Sequence, residues 1–330
     1  MPAQWLNREQ RDRSSYPIEG NCNHEDRIPV AGTTAIRLRM DTSNRRIPFS
    51  CWRKRFESER TGIIVGEAAL KGIKTMVKAA AEWEGDNMVV TNTQSGTNID
   101  EVAAGIYRIN TPVVMGGGPG GFSFNQYLIV DDEPLLFHTG PRKMFSLVRE
   151  AVSSIMPPEH LRYVAFSHVE ADECGSLNEW LAAAPQSSPL CGTVAAIVSM
   201  NDLADRPPRS LADGETLSLG KHSVRWFDTP HLPHAWECGY LLEEQTRTLL
   251  CGDLFTQGGA HHPAITEVDI LEPSEAFRHA MDYYSHTKNG REMLERLASL
   301  EPKTLACMHG SAWRGDGAAL LRALGDRLSR

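Results

Sequence analysis

The run His168-Val169-Glu170-Ala171-Asp172 places an imidazole and two carboxylates at alternate positions, directly behind the apolar stretch Leu161-Arg162-Tyr163-Val164-Ala165-Phe166. On a helix, residues two apart diverge, whereas on an extended chain positions i, i+2 and i+4 face the same way. A strand ending in such a run aims one nitrogen and several oxygens at a single point. A divalent metal ion wants that arrangement.

Three further segments repeat the pattern of a strand followed by donor side chains. Trp226-Phe227-Asp228 leads into Thr229-Pro230-His231-Leu232-Pro233-His234, Leu249-Leu250-Cys251-Gly252 into Asp253, and Leu305-Ala306-Cys307-Met308 into His309. Loops at successive strand ends vary without disturbing a core, so donors carried there converge on one edge of a sheet. With one histidine taken from the second segment, the set holds three imidazoles and three carboxylates. That exceeds what a single tetrahedral zinc needs, and two ions sharing a carboxylate is the economical arrangement. Taken singly, each of these side chains is an ordinary loop residue. The ordered set carries the signal.

The elements that must position these donors alternate from Val102 onward. Strands are expected at Ala104–Asn110, Asn125–Val130, Pro134–His138, Leu161–Ser167, Ser223–Asp228, Gly239–Glu243, Thr248–Gly252 and Thr304–Cys307. Helices are expected at Lys143–Ile155, Ser176–Ala184, Ser274–Ser285, Arg291–Leu300 and Ala318–Leu328. Early strands joined by short turns and later strands separated by helices predict a mixed α/β, two-layer architecture with flanking helices.

Regular patterning begins only near Glu101. The first 60 residues are polar and show no sustained period, and a rough apolar stripe follows between Gly62 and Gly85. Residues 1–100 are therefore expected to be an N-terminal extension, mostly disordered or weakly structured, and residues 101–330 the metal-binding domain.

A net charge of -8 argues against general nucleic-acid binding, which needs a basic surface. No apolar run approaches the roughly 20 residues that cross a bilayer, and the N-terminus lacks an apolar signal core. Seven cysteines at irregular spacing, without C-x-x-C, point to reduced thiols and a cytoplasmic setting. Cys191, Cys251 and Cys307 read as small buried hydrophobes.

On these residues the chain resembles the metallo-β-lactamase superfamily and, within it, the diiron domain of flavodiiron proteins. The superfamily's H-x-H-x-D-H stands here as His168-x-Glu170-x-Asp172-Glu173, with the middle glutamate that flavodiiron domains carry. Gly-Asp253-Leu-Phe and Met-His309-Gly-x-x-Trp313-Arg314 are similar to the same family's later motifs. The resemblance spans about residues 101–330 and implies an αββα sandwich. It also implies that His168, Glu170 and His234 hold one metal, Asp172 and His309 a second, and that Asp253 bridges them. His231 competes with His234. The latter is favoured because the following Ala-Trp-Glu-Cys-Gly-Tyr240 resembles the family's return strand. Glu173 departs from the pattern, standing where many relatives have a histidine. It has three open roles: a carboxylate ligand, a partner for a bound water, or a solvent-facing side chain.

Donors rich in oxygen and free of thiolate favour iron over zinc, with manganese also accommodated. Two functions are expected to compete. The first is a diiron protein that binds, senses or reduces a small oxidant such as O2 or NO with an external electron donor. Flavodiiron proteins are resupplied by an FMN-bearing flavodoxin module, and only 21 residues follow His309, so no FMN domain is expected in this chain. The alternative is a hydrolase of an ester, lactone, thioester or phosphoester, with Asp172 and Asp253 orienting an activated water. Either way the partner is a small molecule, and a homo-oligomer is compatible with the sequence.

Three lesser features complete the expectations. The glycine-rich Met115–Gly121 reads as a flexible hairpin bordering the pocket. His138, before Thr139-Gly140, reads as structural. His261 and His262 are weighed between a place near the site and an ordinary loop.

Overall fold

The computed structural model describes residues 89–114 and 121–329. The expectations for the chain up to residue 88, and for the glycine-rich segment 115–120, lie outside the described residues. Among the described residues a strand is already present at Val89, ahead of the Glu101 expected from patterning.

Two sheets form the centre. The first holds eight strands in sequence order: β1 (Val89–Asn92), β2 (Thr97–Ala103), β3 (Ile106–Val114), β4 (Gly121–Ile129), β5 (Leu135–Phe137), β6 (Tyr163–Ala165), β7 (Ser188–Gly192) and β8 (Arg209–Leu211). It is antiparallel as far as β5 and parallel beyond, because helical crossovers separate the later strands. The second holds β9 (Thr216–Ser218), β10 (Ser223–Asp228), β11 (Gly239–Glu243), β12 (Thr248–Leu250), β13 (Ile265–Thr266), β14 (Thr304–Ala306) and β15 (Ala312–Arg314). Their order is β13-β15-β14-β12-β11-β10-β9.

Period-two patterning separates the layers. Leu128, Leu136, Val164 and Cys191 face outward onto the helices Phe145–Ser153 (α1) and Leu177–Ala183 (α3). Their neighbours Tyr127, Ile129, Leu135, Phe137, Ala165 and Leu190 face inward and meet Trp226, Leu241, Leu250 and Ala306 of the second sheet. On the far side, Tyr240, Leu242, Leu249, Cys251 and Leu305 pack under Leu271–Met281 (α4), Gly290–Ala298 (α5) and Gly317–Leu328 (α6). The result is the helix–sheet–sheet–helix sandwich of the metallo-β-lactamase type. Trp226 is fully buried between the sheets and needs a bare backbone opposite it: a Cβ on Gly239 would lie 2.2 Å from its ring. No helix among the described residues is long and apolar enough to cross a membrane.

This topology aligns the donor loops. β11 runs antiparallel to both β10 and β12, and β14 is parallel to β12, so β10, β12 and β14 all end at one edge. The loops after them carry His234, Asp253 and His309 to the loop that follows β6 in the other sheet.

Candidate metal centre

The alternation seen in the sequence holds only as far as Glu170. β6 stops at Ala165, and Glu170 is extended, with φ -139° and ψ 166°. Ala171–Cys174 then closes into a helical turn (α2). A helix rotates about 100° per residue, so Asp172 and Glu173 leave the line of His168 and Glu170 and face a neighbouring position. The motif thus serves two adjacent groups of donors.

In the first group, His168 Nε2 lies 3.1 Å from Glu170 Oε2 and 2.9 Å from His234 Nε2, which is itself 3.0 Å from Glu170 Oε2. In the second, His309 Nε2 lies 3.4 Å from Asp172 Oδ2. Asp253 stands between them. Its Oδ2 is 3.8 Å from His168 Nε2 and 3.5 Å from His234 Nε2, while its Oδ1 is 3.3 Å from His309 Nε2. The structure brings together all six side chains singled out from the sequence. It does not bring in His231, which is exposed and lines a separate cavity with Glu272, Glu275 and Arg278. His261 is exposed and His262 contacts the carbonyl of Gly259, so neither joins the cluster.

The three imidazoles are fixed from behind. Nδ1 of His309 donates to the Ser123 carbonyl at 2.8 Å and Nδ1 of His234 to the Tyr283 carbonyl at 3.1 Å. A carbonyl only accepts, so both rings hold a proton on Nδ1, and Nε2 is the atom each turns inward, toward the carboxylates here and available to a metal once deprotonated. His168 Nδ1 meets Ser167 Oγ at 2.9 Å, and that hydroxyl also meets His138 Nε2 at 3.0 Å. His138 is fully buried, and its Nδ1 contacts Met308 Sδ. It supports the ligand loop from one layer back, in agreement with the structural role expected for it.

The electrostatics of these side chains reflect the crowding of acids and bases. Hydrogen bonds from His168 and His234 hold the Glu170 carboxyl down to about 2. Burial opposes charge on Asp253, but His309 outweighs it and keeps this carboxyl well below its usual range. Burial likewise opposes charge on His309, and the Asp172 and Asp253 carboxylates overcome it, lifting the imidazole to about 9. His138 faces no such partner at close range, and burial drives it down to about 3.

Sequence reasoning left Glu173 open, and the structure removes the solvent-facing option: the residue is 0% exposed. Neither of its carboxylate oxygens has a hydrogen-bond partner among the described residues. Burial, reinforced by Asp253, raises its carboxyl well above the normal range. Its position directly after Asp172 was the available signal.

Aromatic rings wall the second group. Phe122 stacks on His309 with centroids 4.0 Å apart, and Phe124 meets the same ring edge-on at 5.5 Å. Phe277 stacks on Phe122, and Tyr283 lies edge-on to His234. On the opposite side the Glu170 side chain is 53% exposed, so the cluster opens to solvent there. Cys174 and Ser176 bond to the carbonyls of Glu170 and Thr139, leaving no nucleophile–base pair beside the motif.

Two adjacent groups of imidazole and carboxylate donors joined by one shared carboxylate, on the mouth of an αββα sandwich, define a metallo-β-lactamase-fold metal-binding protein. Residues 122–310, more than half of the chain, match the family described as "ODP family beta lactamase", and the chain belongs to that family. Relatives include the rubredoxin-oxygen oxidoreductase of Megalodesulfovibrio gigas, 26% identical over 60% of this chain and 50% of its own length. The nitric oxide reductase of Moorella thermoacetica is also 26% identical, over 62% of this chain and 52% of its own. The chain thus matches about half the length of these relatives. Among solved structures, the flavodiiron protein from Giardia intestinalis shares the fold with a TM-score of 0.59 and 22% identity, covering 70% of this chain and 59% of that one.

Proposed function

We propose that this chain holds two iron ions and uses them to bind and reduce a small diatomic oxidant, O2 or NO, with electrons from an external donor. Asp253 carries this reading: it offers one carboxylate oxygen to each of two histidine-bearing groups. His168, Glu170 and His234 would hold one ion, Asp172 and His309 the other, with Asp253 shared. The residues present fit such a pair. The Nε2 atoms of His168 and His234 lie 2.9 Å apart, with carboxylate oxygens of Glu170 and Asp253 near both, the mixed nitrogen and oxygen donor set that a divalent ion would take.

When bound, ferrous ions supply two electrons and an open coordination position to a diatomic ligand. The protein's own residues do the rest. Ser123, Tyr283 and Ser167 lock the three rings with Nε2 inward, so little reorganisation accompanies a change of metal charge. Phe122, Phe124 and Phe277 give a small apolar molecule a favourable approach and keep bulk water off His309. Glu170 marks the side where solvent, and with it protons, reaches the cluster. Membership of the ODP family, and relatives named for oxygen and nitric oxide reduction, support this reading.

The same solvent-open side at Glu170 supports a second reading, a hydrolase in which Asp172 and Asp253 orient a water. One measurement separates the two. Protein purified without added metal is assayed for metal content and its absorption recorded before and after exposure to air. Two irons per chain with an oxygen-dependent visible band are expected. Two zincs, no colour and turnover of an ester or lactone panel would replace the redox reading with the hydrolytic one.

A further inference from the structure

We propose that Glu173 is a ligand of the second ion, so that the pair is held by three imidazoles and four carboxylates. The inference rests on the dinuclear reading above and assigns a donor that the sequence motifs leave open. Donor counting is unequal without it. The first group offers His168, Glu170, His234 and one oxygen of Asp253, whereas the second offers only Asp172, His309 and the other oxygen of Asp253. Glu173 stands where the missing fourth donor is needed: one of its carboxylate oxygens lies within 4.8 Å of donor atoms of both Asp172 and His309. The same side chain reaches the shared region, with Oε2 3.9 Å from His168 Nε2 and within the same limit of Asp253.

The surroundings point the same way. A fully buried carboxyl with both oxygens lacking a hydrogen-bond donor among the described residues is a costly feature unless a cation meets it. Its backbone is not adrift. Thr139 N donates to the Glu173 carbonyl at 2.8 Å, and Ser176 closes onto Thr139 through its backbone N–H and its hydroxyl. Glu173 is therefore held, unsatisfied, facing the second group.

A fourth carboxylate also changes the chemistry. Four negative charges balance two divalent ions, where a histidine at this position would leave one positive charge over. The harder, anionic set favours the oxidised state of the second ion and hard cations generally.

The test uses the full chain, stripped of metal and titrated with Fe(II) without oxygen, with metal per chain measured after desalting. Wild-type protein is expected to keep two ions. Glu173→Gln keeps the volume and removes the charge, and is expected to retain the first ion while binding the second at least about tenfold more weakly. Glu173→His is expected to restore the second ion and to raise its midpoint potential relative to wild type. Thermal unfolding of the metal-free variants checks the fold. Glu173→Gln should be no less stable than metal-free wild type, since it discards an unpaired buried acid, and should gain less on adding Fe(II). Two ions bound to Glu173→Gln with wild-type affinity would overturn the assignment and leave the dinuclear centre standing. A wild-type chain that binds fewer than two ions would overturn the dinuclear reading and this inference with it.

Discussion

Asn125 straddles His309 without touching it: its side-chain nitrogen donates 2.8 Å bonds to the carbonyls of Cys307 and Gly310. Asn125 lies in β4 of the first sheet and His309, 184 positions later, in the loop after β14 of the second, so this one amide fixes the turn that presents the imidazole. Its backbone N–H adds a bond to the Met308 carbonyl, and its Oδ1 accepts from Asn110. Tyr127 and Arg108 grip the same two carbonyls from either side.

Asn125→Ala is accordingly expected to act on the second ion through His309. Removing a buried amide leaves Asn110 without its acceptor, and a loss of about 2–3 kcal/mol follows. Affinity at the second position should fall about 10–100-fold while the first is nearly unchanged. Metal titration with thermal unfolding measures both. Unaltered binding at both positions would show that Tyr127 and Arg108 hold the turn unaided.

His138 gives the protein a defined acid sensitivity. Its folded value of about 3 lies below the ordinary 6.5, so above pH 6.5 the ring is neutral whether the chain is folded or not. As pH falls below 6.5 only the unfolded chain takes up the proton, and stability is lost progressively until about pH 3. Between pH 7 and pH 5 the loss from this one group is about 2 kcal/mol. His138→Gln keeps a neutral hydrogen-bonding side chain and removes the titration. Denaturant unfolding of the metal-free proteins should show wild type losing about 2 kcal/mol more than the variant over that interval. Equal losses would mean that His138 is protonated in the folded protein.

The fold and most of the cluster were legible because each donor follows a short apolar strand that ends abruptly. β10 and β11 fall on the expected Ser223–Asp228 and Gly239–Glu243. The sheet's first strands escaped notice: Thr97–Ala103 carries Asn98, Asp100 and Glu101 beside Ile99 and Val102, which dilutes an apolar pattern. The turn Ala171–Cys174 also escaped, since four residues are too few to show a helical period. For the same reason Asp172 was expected in line with Glu170. Glu173 could not be placed at all. Whether an acid beside a ligand is buried depends on Thr139, which meets its backbone from a distant part of the chain and is itself held by Ser176.

His231 and His234 share one loop, and only their backbones tell them apart. His231 sits at φ +64°, its N–H bonded to the Ala235 carbonyl, and it is exposed on the cavity beside Glu272. His231→Asn, a residue tolerant of that backbone region, is expected to leave the metal content at two ions. His234→Ala should release the first ion, because the ring that meets His168 and Glu170 is gone. Metal loss in the His231 variant instead would reverse the assignment of the loop.

Asp253 and His309 predict different failures. Asp253→Ala removes one oxygen from each group at once, and takes away the one carboxylate that reaches His168, His234 and His309 together. Both ions should be lost, with occupancy well below one per chain after desalting. His309→Ala removes a donor that only the second group uses, since its nearest partners are Asp172 Oδ2 and Asp253 Oδ1. One ion should remain, held by His168, Glu170, His234 and Asp253 Oδ2. In the metal-free state His309→Ala also removes the imidazole that keeps Asp253 ionised, so its carboxyl should rise toward the usual carboxylate range. Metal analysis of the two variants side by side gives the answer. If both retained two ions at full occupancy, Asp253 would not be shared, and the two groups of side chains would not constitute a single dinuclear centre.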